Sequence, residues 1–261
     1  MMENIQPYGC CTLAFMPLRA ADSHRSEMVS QLLFGESYRV IAATGEWIEV
    51  ETDFDRYHGF IAANQYTPLT DTDYMYWRQQ PVRTALAPLR LYCDETDCMI
   101  VVPPGSILPE DKGKPFRIGG KLFSLQSPFQ TLRLQEILQQ YEGAPYLWGG
   151  RTPWGIDCSG FTQVIYKTQG ITLPRDATQQ QQIGKELRLP QARFGDLAFF
   201  QDQEGRIVHV GLMLDNRRIL HCSGQVRVDG MDETGIFRQN GHNYTHLLHS
   251  IKRISQQTPY E

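Results

Sequence analysis

The chain has 261 residues, of which 41% are hydrophobic and 21% charged, a composition typical of a folded globular protein rather than a disordered one. Its formal net charge of -4 at pH 7 argues against nucleic-acid binding, because neutralising phosphates requires a dense basic face. A chain of this length is expected to form two or three compact units.

The amino-terminal segment shows no targeting or membrane signal. Its apolar stretch Cys11–Met16 is too short for the core of a signal peptide, and no run of about 18 apolar residues could span a membrane. We therefore expect a cytoplasmic protein. The spacing of the six cysteines is poor for disulfides, so we expect free thiols. They form no paired C-x-x-C motif, and we expect neither a metal nor a cofactor.

Short predicted strands fill residues 13 to 66. Tyr38–Ala42, Trp47–Glu51 and Tyr57–Ala62 alternate apolar and polar residues and are separated by Gly- and Asp-containing turns. This close spacing predicts a small β-barrel, assigned to residues 1–67. The segments PLR, SEMVSQLLFGE and WIEV within it resemble a bacterial SH3-type domain.

A joint at Pro68–Asp73 leads to a second group of short predicted strands. Leu89–Tyr92 and Met99–Val102 belong to this group, and the turn signal Ile118–Lys121 predicts a tight hairpin. The strand spacing predicts a second, more diverged barrel of the same type over residues 68–128.

The pattern changes after Pro128. Apolar residues at helical spacing predict helices over Thr131–Glu142 and Cys158–Gln169. Three predicted strands follow, at Asp196–Gln201, Ile207–Leu214 and Arg218–Ser223. Helices followed by an antiparallel sheet predict an α+β unit over residues 129–261.

Cys158 is the candidate nucleophile. It opens the second of these helices, where the helix dipole is expected to lower the pKa of the thiol, and Asp157 can cap the helix by accepting from the following amides. The alternative is a buried structural cysteine. The surrounding glycines favour a thiol presented to a groove.

Two histidines lie on the strands of the predicted hairpin. A turn centred on residue 215 places His209 and His221 directly or nearly opposite each other, on one face, with Gly211 leaving room beside His209. One imidazole can then orient the other, as a catalytic base requires. The alternative for His209 is an ordinary core histidine.

A family resemblance rests on six motifs in order: PYLWGG, DCSG, LPRDA, GDL, HVG and ILHCSG. Over about 130 residues they resemble the NlpC/P60 peptidases. The resemblance implies a papain-like fold, with Cys158 as nucleophile, His209 as general base and His221 as the orienting residue. It also implies cleavage of bacterial cell-wall peptides between γ-linked D-glutamate and a diamino acid.

The predicted barrels resemble one branch of this family, the γ-D-glutamyl-L-diamino acid endopeptidases. There the resemblance implies recognition of the free amine of an N-terminal L-alanine, by Asp176, Tyr57 and a glutamate, Glu27 rather than Glu36. Asp157 and Ser159 resemble residues that touch the D-glutamate. Tyr146 and Trp148 are implied to line the groove wall. Ala177 departs from the branch, which often has serine there, so one hydrogen bond is in doubt.

The predicted function is therefore hydrolysis of murein peptides that carry a free N-terminal alanine, releasing L-Ala-γ-D-Glu during cytoplasmic recycling. Three alternatives remain open: a general endopeptidase of intact wall, an amidase or acyltransferase with the same Cys–His–His chemistry, and a non-catalytic peptide-binding protein. His242, His246 and His249 could clasp a metal, but no carboxylate completes that set. No obligate protein partner is evident.

Overall fold

The computed structural model describes residues 5–110, 113–238 and 243–255. Its chain divides into two compact units, residues 1–140 with 148–151, and residues 141–147 with 152–261. The segment 148–151 thus belongs to the first unit although it lies within the sequence of the second. Among the described residues, no helix is both long and apolar enough to cross a membrane.

The first unit begins with a seven-stranded antiparallel sheet. Its strands are β1 (Tyr8–Cys10), β2 (Phe15–Arg19), β3 (Met28–Leu33), β4 (Ser37–Thr44), β5 (Trp47–Thr52), β6 (His58–Ala62) and β7 (Pro68–Leu69). They pair in the order β3-β2-β6-β5-β4-β1-β7. The alternating pattern places Leu32, Val50 and Ile61 in an apolar core, as an SH3-like barrel requires.

A helix follows where the sequence predicted only a joint. Helix α1 (Asp71–Gln79) begins at Thr70, whose hydroxyl accepts a hydrogen bond from the amide of Asp73 at 3.1 Å. Tyr74 and Trp77, three residues apart, lie on its buried face. The N-cap and this spacing were the signals for a helix, and both were hidden inside the predicted joint and strand region.

The remaining elements of the first unit are short. They are β8 (Val82–Thr84), β9 (Leu89–Cys93), β10 (Cys98–Val102), β11 (Ile107–Pro109), β12 (Phe116–Ile118), β13 (Lys121–Leu125) and α2 (Leu134–Gln139). They form a four-stranded sheet, β10-β9-β13-β12, and a β11-β8 pair. Cys10 of β1 and Phe34 of the turn after β3 pack with Leu91 and Phe123 in one cluster, so the two strand groups share a core. The division at residues 67 and 128 stays a prediction.

The second unit combines two helices with a large antiparallel sheet. Its elements are β14 (Arg151–Thr152, beginning in the last residue of the first unit), β15 (Gly155–Ile156), α3 (Cys158–Thr168), α4 (Ala177–Gln181), β16 (Lys185–Leu187), β17 (Leu197–Gln201), β18 (Ile207–Met213), β19 (Arg218–Ser223), β20 (Gln225–Met231), β21 (Gly235–Phe237) and β22 (Tyr244–Arg253). The predicted α+β class is confirmed.

Strand pairing in this sheet runs β16-β22-β17-β18-β19-β20-β21. Because β22 also pairs with β21, strands β17 to β22 close into a six-stranded barrel. The sequence predicted only three of these strands. Helix α3 packs against β18 and β19, which brings the helix of Cys158 onto the two strands that carry His209 and His221.

Candidate active site

Cys158 is the first residue of α3, and its side chain is 7% exposed. Asp157 is the N-cap of the helix, and its Oδ1 accepts a hydrogen bond from the Gly160 amide at 2.7 Å. The helix therefore starts where the sequence predicts, with the thiol at its positive end.

The pKa of the Cys158 thiol differs from the expected one. Burial, followed by the negative charge of Asp157, raises the pKa of Cys158 to about 12, although the backbone of Val210 and the Arg175 charge act in the opposite direction. The predicted lowering of this pKa is wrong because burial and the charge of the capping Asp157 raise the pKa more than the opposing contributions lower it. The thiol is protonated at neutral pH.

His209 and His221 form the predicted pair. His209 Nε2 lies 2.8 Å from His221 Nδ1, and both rings are buried. The register differs from direct opposition, since His221 faces Gly211, so the two histidines are diagonal neighbours on one face. A Cβ on Gly211 would lie 2.8 Å from His221 Cβ. The absence of a side chain there thus accommodates His221.

Asp229 extends the hydrogen bond between the two histidines into a chain of three residues. This aspartate was not identified from the sequence. Its Oδ2 lies 3.0 Å from His221 Nε2 and also accepts from Arg227 Nε at 2.8 Å. Burial opposes ionisation of Asp229, but the hydrogen bonds from Arg227 and His221 lower its pKa. The detectable signal was strand alternation, since β19 and β20 are joined at Gly224 and residue 229 falls on the histidine face.

The carboxylate sets the tautomers of both rings. Ionised Asp229 can only accept, so His221 Nε2 carries a proton and His221 Nδ1 accepts from His209 Nε2. His209 Nδ1 is then left with the lone pair that can accept a proton. Burial first, then the positive charges nearby, lower the pKa of His209 well below its usual value, so the ring is neutral at pH 7.

Asp157 and Ser159, the residues expected to touch D-glutamate, are bound to a third residue. Arg175 Nη2 lies 2.5 Å from Asp157 Oδ2, and Arg175 Nη1 donates to Ser159 Oγ at 2.9 Å. All three side chains are buried. Arg175 is within the LPRDA motif, but no sequence pattern indicates that it pairs with Asp157 eighteen residues earlier.

Tyr146, a predicted wall residue, lies close to the nucleophile. Burial first, and then the potential negative charges of Cys158 and Asp157, raise the pKa of its phenol. The ring is nevertheless 38% exposed, and the Tyr146 amide donates to the Gly224 carbonyl at 2.9 Å. The side chain is therefore fixed by its backbone and open to solvent beside Cys158.

In the first unit, the structure separates the two candidate glutamates. Glu36 is buried and forms a bidentate ion pair with Arg151, at 2.8 and 2.9 Å. Glu27 is exposed and accepts a hydrogen bond from the Trp148 indole, so two predicted substrate residues meet there. Gly149 beside Trp148 has a φ of +76°, and a Cβ there would lie 2.2 Å from the Met28 carbonyl oxygen.

The last two predicted amine ligands lie in different units. Tyr57, in the first unit, is partly buried, packs against the barrel core and donates its amide to Thr52 Oγ1 at 2.9 Å. Asp176, in the second, is the N-cap of α4, and its amide donates to the Gln179 side chain at 3.3 Å. Capping and substrate binding are compatible for Asp176.

A third histidine lies against the pair of His209 and His221. The His246 ring stacks on His209, with centroids 4.3 Å apart and an interplanar angle of 26°. One ring nitrogen of each of His209, His221 and His246 lies within 4.8 Å of the others, a set that could hold a metal ion. The set considered from the sequence was different: His249 is exposed on the same strand, and His242 lies outside the described residues.

Two family models match the chain. The NlpC/P60 family model matches residues 143–243, and the bacterial dipeptidyl-peptidase SH3 domain matches residues 18–65. A gamma-D-glutamyl-L-lysine dipeptidyl-peptidase from Bacillus subtilis (strain 168) is 33% identical, over 74% of this chain and 71% of that protein. A protein of the same name from Bacillus cereus is 25% identical, over 76% and 68%.

Solved structures support the same fold. An NlpC/P60 family protein from Bacillus cereus has a TM-score of 0.77 at 21% identity, covering 94% of this chain and 99% of that one. An NlpC/P60 endopeptidase from Photobacterium damselae subsp. piscicida has a TM-score of 0.70 at 18% identity, covering 96% and 72%. The family model over residues 143–243 and the relative from Bacillus subtilis identify the chain as a member of the NlpC/P60 family of cysteine peptidases.

Proposed function

We propose that the protein hydrolyses the γ-D-glutamyl–diamino acid bond of cell-wall peptides that carry a free N-terminal L-alanine, releasing L-Ala-γ-D-Glu. The observation that carries this proposal is the His209–His221–Asp229 hydrogen-bond chain on strands that pack against the Cys158 helix, in a protein whose N-terminal region matches the SH3 domain of bacterial dipeptidyl-peptidases. Relatives that align over most of the chain carry the dipeptidyl-peptidase name.

The proposed chemistry is covalent catalysis. Cys158 Sγ attacks the γ-carbonyl carbon while His209 Nδ1 takes the thiol proton, and that proton then passes to the departing amine as the C–N bond breaks. Water, deprotonated by His209, then attacks the thioester carbon, and the proton passes from His209 to Cys158 Sγ as the C–S bond breaks. Because the thiol and the imidazole are both neutral at rest, proton transfer accompanies attack instead of preceding it.

Amine recognition is the part of the proposal that defines the product. We assign the ammonium to Tyr57, Glu27 and Asp176, since an ammonium needs carboxylate and hydroxyl acceptors. Glu27 is favoured over Glu36 because Glu36 is buried and already paired with Arg151.

The D-glutamate is assigned to Ser159 and Asp157, with Tyr146 and Trp148 along the groove wall. Asp157 already accepts from Gly160 and Arg175, so its expected contribution is to hold Ser159 in position.

The decisive experiment compares L-Ala-γ-D-Glu-diaminopimelate with its N-acetylated form, with products identified by mass spectrometry. Loss of one partner of a charge pair that is desolvated in the bound complex costs about 2–5 kcal/mol, so kcat/KM should fall about 30-fold to several-thousand-fold on acetylation. Asp176→Asn, Tyr57→Phe and Glu27→Gln should each shrink that ratio. His209→Ala serves as the inactive control.

Each alternative has its own outcome. Equal rates on the two peptides would identify a general cell-wall endopeptidase. Transfer of the acyl group to an added amine without hydrolysis would identify an acyltransferase, and binding without turnover would identify a peptide-binding protein. We further propose that the substrates are soluble fragments recycled in the cytoplasm, which cell fractionation tests directly.

A further inference from the structure

The cluster of His209, His221 and His246 has the nitrogen ligands for a metal ion, which the proposed peptide hydrolysis does not use. Three imidazole nitrogens lie within 4.8 Å of one another. Nitrogen ligands bound to zinc at about 2.1 Å in a tetrahedral site lie about 3.4 Å apart, so small ring movements would complete three-fold coordination. Imidazole is a ligand that zinc prefers in proteins.

The surroundings of the cluster also match those of a zinc ligand. His221 offers Nδ1 toward His209, while its Nε2 lies 3.0 Å from the Asp229 carboxylate. A metal-binding histidine almost always donates its other N–H to a carboxylate or carbonyl, which fixes the ring and increases its basicity. Asp229 is itself fixed by Arg227 at 2.8 Å.

We propose that Zn²⁺ binds reversibly to His209, His221 and His246 and thereby switches the peptidase off. The ion occupies the place of the hydrogen bond between His209 Nε2 and His221 Nδ1. The His209 proton moves from Nε2 to Nδ1, so no proton is released and the ring stays neutral. His209 Nδ1, now carrying hydrogen, can no longer accept the proton of Cys158.

This inhibition differs from zinc binding to the nucleophile. Thiolate is a strong zinc ligand, but Cys158 is buried and does not belong to the set of three histidines whose ligand atoms lie within 4.8 Å of one another. The proposed ion needs no sulfur ligand, and its fourth position is filled by water. The decisive residue is therefore His246, because it belongs to the metal set and not to the proton path from Cys158 to Asp229.

The first test measures inhibition in zinc-buffered solutions, and it relies on the proposed peptidase activity. His246→Phe retains an aromatic ring next to His209 but removes the ligand. Loss of an outer partner of a metal ligand costs about 10–100-fold in affinity, so loss of a direct ligand should raise the inhibitory zinc concentration at least about 100-fold. The matched control His249→Phe, an exposed histidine on the same strand, should leave it unchanged. Each variant is referenced to its own rate in chelator.

The second test measures binding and does not depend on any substrate. Cys158→Ala should bind one Zn²⁺ in calorimetry, and Co²⁺ in its place should show a four-coordinate spectrum without a thiolate charge-transfer band. Adding His246→Phe should weaken that binding by the same factor. Loss of zinc binding in Cys158→Ala, or equal sensitivity of wild type and His246→Phe, would overturn the proposal. Binding with no peptide cleaved would instead overturn the proposed function alone.

Discussion

Two features of the surroundings of Cys158 keep its thiol protonated. Its side chain is buried, and the carboxylate that caps its helix lies beside it in sequence. Both disfavour a negative charge on sulfur, and together they raise its pKa to about 12. His209 is likewise kept neutral, so the resting site holds no thiolate–imidazolium pair.

Alkylation should show this directly. Iodoacetamide reacts with thiolate, so at pH 7 it should label the exposed Cys98 before Cys158, and the rate at Cys158 should still be rising above pH 9. Mass spectrometry of tryptic peptides measures the alkylation rates of both cysteines. In the Cys98→Ser variant the slower rate, that of Cys158, is measured without the faster reaction. A rate at Cys158 that reaches a plateau below pH 8 would mean that the ion pair is already formed.

Asp229 should act on the reaction through His221. Asp229→Asn can donate as well as accept, so it no longer fixes the His221 tautomer, and we expect kcat/KM to fall about 10- to 100-fold with little change in KM. Steady-state kinetics test this, with Glu233→Gln as an exposed carboxylate control. A rate unchanged in Asp229→Asn would show that His221 is oriented without its carboxylate.

At the scale of elements, the β18–β19 hairpin positions His209, the proposed base, and depends on Gly211, the residue opposite His221. Added to Gly211, a methyl group would lie 2.7 Å from Ile219 Cδ1 and 2.8 Å from His221 Cβ. The two strands would have to separate near the contact that holds His209 in place.

Gly211→Ala should therefore reduce kcat at least about tenfold while costing only about 1–3 kcal/mol of stability, the usual effect of overpacking. Gly9→Ala is the matched control, since its added methyl would crowd the Tyr38 ring in the first unit. It should lower stability without changing kcat per folded molecule, as measured by active-site titration and urea unfolding. Full activity in Gly211→Ala would show that His221 tolerates the displacement.

The features that could be predicted from the sequence are those whose signals lie within a short stretch of the chain. The start of α3 and the β18–β19 hairpin were predicted because a cap and strand alternation are local. Barrel closure depends on the pairing of β22 with β17, a strand more than forty residues earlier in the chain, and no local pattern reports it. Arg175 was missed for the same reason, since a buried arginine and an exposed one look alike in sequence.

At the scale of the whole molecule, the segment 148–151 anchors in the first unit through a buried charge pair. Arg151 donates to both oxygens of Glu36 and to the Gln31 carbonyl at 2.5 Å, and Glu36 also accepts from the Leu33 amide. Removing one member leaves a buried charge without compensation.

Glu36→Gln should destabilise the protein by about 3–5 kcal/mol, measured by urea unfolding. The double variant Glu36→Leu with Arg151→Met should recover most of that loss, because two apolar side chains need no partner. Glu27→Gln, which alters an exposed glutamate, should change stability little. A double variant as unstable as Glu36→Gln would show that packing, rather than charge, determines the cost.

Glu36 and Arg151 are 115 positions apart in the sequence. A genetic crossover between these two positions gives a hybrid protein in which one parent supplies Glu36 and the other supplies Arg151. The pair is therefore expected to be inherited together: a lineage that loses the glutamate should lose the arginine as well. Hybrids of related peptidases joined at either predicted domain boundary, residue 67 or 128, should fold only when the parents agree at both positions.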